Sequence, residues 1–250
     1  VRPSTFFADN AASFGETFIL EGPEAHHAIA AQRIRPGEVI DIVDGRGVRV
    51  RSRVAHAEGT HTLHCVREEL IVEPEPELQI TVVQPLIKDG ELAVELLTQV
   101  GVDVIVPWQA QRSVVQWRGE RAAKAHAKWQ HAAVHAAKQA RRSHWPAIAP
   151  LASRDHVGEL LASADCALML EADAPVPIAD VQLPARGSVV LILGPEGGLA
   201  PEEMTTFDGA LQVRLGPEVL RSAVAGSAAV IAMKSRSSAW RKPPMTGSPV

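Results

Sequence analysis

The sequence predicts an α/β fold: a mostly parallel sheet with helices on both sides, preceded by a smaller β-rich unit. Three observations predict it. Residues 189–193 are an unbroken apolar run, partly β-branched, which suits a strand buried on both faces. The run stops at Gly194-Pro195-Glu196-Gly197-Gly198, and Pro201-Glu202-Glu203 then reads as a helix start, with proline first and acids in the first turn. From residue 78 onward strand and helix patterns alternate, whereas residues 1–72 read mainly as short strands.

Taken in order, residues 17–20 are a strand candidate and residues 24–32 a short helix. Arg35-Pro36-Gly37 turns the chain into a strand over 39–43, and Asp44-Gly45 is a hairpin signal. The returning strand alternates, with Val48, Val50 and Val54 on one face and Arg49, Arg51 and Arg53 on the other. Residues 60–66 supply another strand. The first domain, 1–72, is thus expected to be a small β-barrel or sheet with a basic outer stripe. Glutamate and proline alternate over 73–77, the composition of an extended linker.

The second domain, 78–238, begins with a strand over 79–83. A helix follows over 91–100, with Leu92, Leu96, Leu97 and Val100 as its apolar face and Gly101 as its stop. Strands are expected over 102–106, 166–170, 189–193 and 211–215, an alanine-rich helix over 119–142, and a small-residue helix over 222–235 that Ser222 can cap. Residues 239–250, with Pro243, Pro244 and Pro249, read as a disordered tail.

Composition narrows the function. No apolar run approaches the roughly 18 residues of a membrane span, and the first residues lack a signal-peptide pattern. Cys65 and Cys166 lie far apart without a Cys-x-x-Cys spacing, so a reduced, cytoplasmic setting is expected. The net charge is −4, but residues 112–145 carry eight lysines and arginines against the single acid Glu120. Residues 33–53 carry six arginines against three acids. A basic surface on an acidic protein suits contact with a polyanion, and a solvated helix face is the plainer reading of either run.

The chemistry points to the loops. A glycine-rich loop at the carboxyl end of a parallel strand is where open α/β sheets place ligands, because no Cβ holds the backbone away. The loop at 194–198 matches neither the phosphate-loop pattern nor Gly-x-Gly-x-x-Gly, so neither ATP nor NAD is expected. A second apolar strand ends at Leu215 and runs into Gly216-Pro217-Glu218-Val219-Leu220-Arg221-Ser222. Two buried strands therefore each end in a Gly-Pro loop followed by a helix. The second helix opens with small residues, which permits close packing of a backbone, a cofactor or a partner.

These blocks, with His26-His27, Arg33, Arg35-Pro36-Gly37, Gly101-Val102, Ile105-Val106-Pro107, Arg112-Ser113-Val114, Gln139 and Arg142 upstream, resemble the RsmE family of bacterial 16S rRNA (uracil-N3)-methyltransferases. That family belongs to the SPOUT superfamily, and the resemblance runs from about residue 5 to 238. It implies a PUA-like RNA-binding β-barrel followed by an α/β domain with a C-terminal trefoil knot. It further implies S-adenosyl-L-methionine as cofactor, N3 of a uridine in 16S rRNA of the small ribosomal subunit as target, and a homodimer. Ribose 2′-O-methylation and a non-catalytic RNA-binding or assembly role are the alternatives.

On this resemblance the cofactor slot is assigned to Leu170, Glu171, Leu193, Gly194, Pro195, Glu196, Gly197, Gly198, Leu215, Gly216, Leu220, Arg221, Ser222 and Ala225. Arg221 is the candidate for stabilising negative charge on the base, and Glu196 the candidate for orienting ribose or substrate. Phosphate contacts are expected from Arg33, Arg35, Arg49, Arg51, Arg53, Arg112 and Arg142. The chain departs from the family pattern at Lys88-Asp89-Gly90-Glu91, where a basic residue is lost, and at Ala223, where the family has a carboxylate.

No metal is expected. On a strand His61 and Cys65 stand about 13 Å apart, too far to share a zinc with bonds of about 2 Å. His131 and His135 have ligand-compatible helix spacing but no accompanying glutamate.

Overall fold

The computed structural model describes residues 3–236 and Trp240; the rest of the tail expected at 239–250 lies outside the described residues. The chain divides into two compact units, Val1–Glu75 with Val134–Trp145, and Pro76–Ala133 with Pro146–Val250.

The first unit contains β1 (Ser4–Phe7), β2 (Thr17–Glu21), α1 (Pro23–His26) running on into a π-helical turn at His27–Ala31, β3 (Val39–Val43), β4 (Val48–Glu58) and β5 (Thr62–Val72). They form a five-stranded sheet in the order β1-β3-β4-β5-β2, with β1 parallel to β3 and the other pairs antiparallel. The hairpin at Asp44 is held by its own side chain, whose Oδ1 accepts from Arg46 N at 2.7 Å and Val48 N at 3.0 Å. Alternation predicts the core face correctly: Val50 and Val54 are buried with Phe6, Ile40, Ile42, Leu63 and Cys65, and Val48 packs against them. Burial pushes the Cys65 thiol up to about 12, which leaves it an inert packing residue.

The opposite face is not the open basic stripe that alternation suggests. Asp41 lies across from both Thr5 and Arg51 in the register. Arg49 is only 7% exposed. Its guanidinium donates to Asp41 at 3.3 Å, to Glu73 at 2.9 Å and to the carbonyl of Arg141 at 2.9 Å. Arg51 donates to Asp41 at 3.0 Å, and that hydrogen-bonded carboxylate raises its pKa above the ordinary arginine value. The physical reason is long-range: residues 134–145 return to this unit and cover the face. Glu73, placed in a linker by its composition, is instead anchored, pairing with Arg49 and donating its N–H to Gly47 O at 2.8 Å.

The second unit contains β6 (Leu78–Pro85), α2 (Gly90–Gln99), β7 (Val104–Trp108), α3 (Glu120–Gln139, whose last residues belong to the first unit), β8 (Ala147–Ile148), α4 (Arg154–Ser163), β9 (Cys166–Leu170), β10 (Val176–Pro177), β11 (Gly187–Leu193), α5 (Pro201–Thr206), β12 (Leu211–Arg214) and α6 (Ser222–Lys234). The seven strands order as β10-β12-β9-β11-β6-β7-β8, and every neighbouring pair is parallel. The run that announced the sheet is β11. Its Val189, Leu191 and Leu193 enter the core that also takes Val94 and Leu97 of α2 and Ala229, Val230 and Met233 of α6. Val190 and Ile192 enter the core with Val157 and Leu161 of α4 and Phe207 just beyond α5. Both faces are covered, so the strand is apolar throughout.

Two helix details differ from expectation. In α2 the buried stripe is Gly90, Ala93, Val94, Leu97 and Thr98, and Leu92 stays 45% exposed. Gly90 is where α2 passes Trp129, which would stand 2.8 Å from an added Cβ. In α6 the N-cap is Arg221, and Ser222 makes no cap bond. Its hydroxyl donates to Gly194 O at 3.2 Å and accepts from Gln84 Nε2 at 3.4 Å, tying the helix start to the end of β11.

Candidate cofactor site

The carboxyl ends of β11, β9 and β12 are adjacent in the sheet, because β9 lies between the other two. Each ends in a loop: Gly194 follows β11, Glu171 follows β9, and Leu215-Gly216 follows β12. Together with the start of α6 these loops enclose a cavity of about 390 Å³, within the range of roughly 300–1,000 Å³ found for small-molecule sites.

Each loop has a local reason for its course. Gly198 adopts φ +69°, and its N–H closes a turn on Pro195 O at 2.8 Å. That conformation favours glycine. The chain then enters α5, where Glu203 is only 2% exposed. Its carboxylate accepts from Ala200 N at 2.8 Å and from Gln111 N at 2.6 Å, so it fixes both the helix start and the segment carrying Arg112. On the other side α6 presses close to β11. A Cβ on Gly226 would lie 2.9 Å from Leu193 Cδ1 and 3.1 Å from Leu97 Cδ2. The small residues of α6 therefore serve helix–sheet packing and, through Ala225, the cavity wall.

Thirteen of the fourteen residues assigned to the slot line this cavity: Leu170, Glu171, Leu193, Gly194, Pro195, Glu196, Gly198, Leu215, Gly216, Leu220, Arg221, Ser222 and Ala225. Gly197 does not. It faces the neighbouring segment instead, where Arg112 Cβ would stand 3.2 Å from an added Cβ and Arg112 Nη1 donates to Gly197 O at 3.0 Å. Ala172, Glu218 and Val219 also line the cavity; their signal in the sequence is adjacency to the assigned loop residues.

The walls are mostly aliphatic, with three carboxylates and Arg221 among them. Glu196 and Arg221 are both exposed at the cavity. Burial, reinforced by nearby Asp173, raises the Glu171 pKa above the ordinary glutamate value. A charged Glu171 is therefore uncomfortable alone and ready for a cationic neighbour. Ala223, where the family pattern has a carboxylate, is buried in a small apolar cluster with Ile87 and Ala93.

The arginines assigned to RNA divide by environment. Arg33 and Arg35 are exposed, and Arg33 has a left-handed backbone, φ +55°. Arg53 is half exposed beside Glu68, Arg51 is largely covered, and Arg49 is buried and ion-paired, which removes it from any solvent-facing role. Arg112 is bound to the glycine loop, and Arg142 is half-buried, its carbonyl accepting from Trp145 Nε1 at 3.1 Å. Among the described residues no group of three or more histidine, cysteine or acidic side chains is arranged to hold a metal ion. No helix among them is long and apolar enough to cross a membrane.

A parallel α/β unit with a loop cavity at its strand ends is the architecture of a domain that seats a small-molecule ligand there. A family model described as RNA methyltransferase domain matches residues 73–234, and one described as RNA methyltransferase PUA domain matches residues 20–66. The chain is 34% identical over 242 residues to ribosomal RNA small subunit methyltransferase E of Mycobacterium bovis, covering 94% of this chain and 92% of that protein. Its fold is similar to the crystal structure of the same enzyme from Neisseria gonorrhoeae bound to S-adenosyl methionine, with TM-score 0.80, 25% identity, and coverage of 94% of this chain and 98% of that one. A protein from Legionella pneumophila solved in complex with SAM has a similar fold at TM-score 0.80, with 23% identity and coverage of 95% of this chain and 99% of that one. The chain belongs to the ribosomal RNA small subunit methyltransferase E family.

Proposed function

We propose that this protein transfers the methyl group of S-adenosyl-L-methionine to N3 of a uridine in 16S rRNA of the small ribosomal subunit. The observation that carries the reading is the cavity at the ends of β9, β11 and β12, whose loops lie within the residues 73–234 matched as an RNA methyltransferase domain. Its residues fit the cofactor. Leu170, Leu193, Leu215 and Leu220 offer an apolar slot for an adenine, and the loop at Gly194 and Gly198 brings backbone within reach of its edge. When bound, the cofactor supplies an activated methyl carbon on a sulfonium, so no metal is needed.

The chain's own residues then have two tasks. One is alignment: the glycine loop and the start of α6, tied together by Ser222, hold the reacting partners in a fixed relation. The other is charge. Uridine N3 is a poor nucleophile until its proton leaves, and the anion that results spreads onto the base oxygens. Arg221, which is exposed at the cavity, would stabilise that charge. Glu196, also exposed there, orients ribose or base.

Exposed arginines such as Arg33 and Arg35 in the first unit, with Arg112 beside the glycine loop, would contact phosphates. We read the first unit as a PUA-like barrel, the strand-end loops as a trefoil knot, and the protein as a cytoplasmic homodimer. Support for the dimer comes from large apolar side chains left exposed on and before α6, Val219, Val224 and Ile231.

Calorimetric titration with S-adenosyl-L-methionine tests the reading. Saturable binding that is lost when Gly198 is replaced by valine is expected; no heat and no thermal shift at millimolar cofactor would refute it.

A further inference from the structure

The first unit holds a second cavity, of about 190 Å³, that the cofactor reading does not use. Thr5, His27, Gln32, His135, Lys138 and Arg141 are among the residues that line it, and no carboxylate does. It lies against β1, on the covered face of the sheet, where residues 134–145 return.

Three features mark it as a built site for an anion. Thr5 is 7% exposed, and its hydroxyl is buried without a hydrogen-bond partner among the described residues. Such a group is costly to bury unless something bonds to it. Arg141 has φ +57°, a backbone conformation that only a few per cent of non-glycine residues adopt. It is held there by Lys138 O, which accepts from its N–H at 3.0 Å, and by Arg49, which donates to its carbonyl. Its guanidinium makes no ion pair among the described residues. Lys138, by contrast, is neutralised: Nζ donates to Glu24 Oε1 at 2.6 Å, and Glu24 Oε2 accepts from Phe7 N at 3.0 Å. Among the described residues the cavity thus presents the Arg141 guanidinium without an ion pair, the buried, unpartnered Thr5 hydroxyl and two imidazoles, with His135 and Gln32 exposed at the rim.

We propose that this cavity seats one phosphodiester group of the RNA substrate, with the Arg141 guanidinium and the Thr5 hydroxyl on its non-bridging oxygens. It rests on the reading of the chain as an RNA methyltransferase. A single phosphate contact fixes the register of an RNA on a protein without reading its sequence, and arginine suits the task because its planar fork meets two oxygens at once.

The test is equilibrium binding of 16S rRNA to the full chain at several salt concentrations, without cofactor, so that methyl transfer plays no part. Arg141→Gln should weaken binding about tenfold and make the slope of log K against log salt shallower by about 0.7–0.9. Thr5→Val should weaken binding severalfold at unchanged slope. His135→Glu, a change at an exposed position that leaves folding alone, should weaken binding by setting a carboxylate at the mouth. Inorganic phosphate alone should stabilise the wild type thermally and Arg141→Gln less. Wild-type affinity and slope in all three folded variants would overturn the site, as would phosphate stabilisation that Arg141→Gln removes while RNA affinity stays unchanged. If the wild type itself fails to bind RNA, the RNA reading falls first and this proposal with it.

Discussion

In the mechanism proposed above, Arg221 is the residue on which the chemistry turns. It stands at the N-cap of α6, exposed at the cavity. A group that stabilises charge formed only during reaction contributes to turnover and little to ground-state binding. Arg221→Ala should therefore lower kcat by about 10²–10³-fold while cofactor affinity, measured by calorimetry, changes little. Equal turnover would remove Arg221 from the mechanism. Glu171 makes the opposite kind of prediction. Burial and Asp173 raise its pKa above the ordinary glutamate value, so its charge destabilises the unliganded fold. Stability from this group is present at low pH, where it is protonated in folded and unfolded chain alike, and is lost as pH rises through the raised value. A cation bound beside it favours the charged form. Glu171→Gln should thus raise the melting temperature of the unliganded protein at neutral pH and weaken cofactor binding. The variant should also lose the drop in affinity that the wild type shows as pH falls towards the raised pKa. A variant that binds as tightly as wild type at every pH would place Glu171 outside the cofactor's reach. Most of these cavity residues are legible in the sequence because they sit in contiguous loops after apolar strands. Gly197 is the exception: a glycine's neighbours depend on a segment eighty-five residues away, and it faces Arg112 rather than the cavity.

At the scale of elements, α6 and β11 act as one piece. Gly226 is where they touch, with Leu193 and Leu97 side chains at 2.9 and 3.1 Å from an added Cβ. Alanine there displaces only leucine methyls and gains helix propensity, so its effect is small. Gly226→Val forces both leucines aside, and should cost about 1–3 kcal/mol in urea unfolding. Because Leu193 also lines the cavity, cofactor affinity should fall in the same variant. Unchanged stability and affinity would mean that the close approach does not hold the site. The helix positions themselves are legible from period and punctuation, and helix faces less so. In α2 the apolar spacing favours a face of Leu92, Leu96, Leu97 and Val100, whereas the buried stripe contains Ala93, Val94 and Leu97, on the side where Gly90 passes Trp129. Ser222 shows the same limit: it looks like a cap, yet its hydroxyl goes to Gly194 of another element.

For the whole molecule, the parallel sheet and the β-rich first unit follow from patterns within a few residues of one another. What the sequence conceals is the return of residues 134–145 to the first unit. That return turns an apparent basic stripe into a buried polar layer in which Arg49 pairs with Asp41 and Glu73. No local pattern reports a contact such as Arg49 to the carbonyl of Arg141, ninety-two residues apart. The most direct measurement is nucleoside mass spectrometry of 16S rRNA from unmodified small-subunit particles incubated with the protein and S-adenosyl-L-methionine. The predicted result is a cofactor-dependent 3-methyluridine, close to one per particle, that is nearly absent with Arg221→Ala. Cofactor binding with no methylated nucleoside, or a ribose 2′-O-methyl product, would contradict the account.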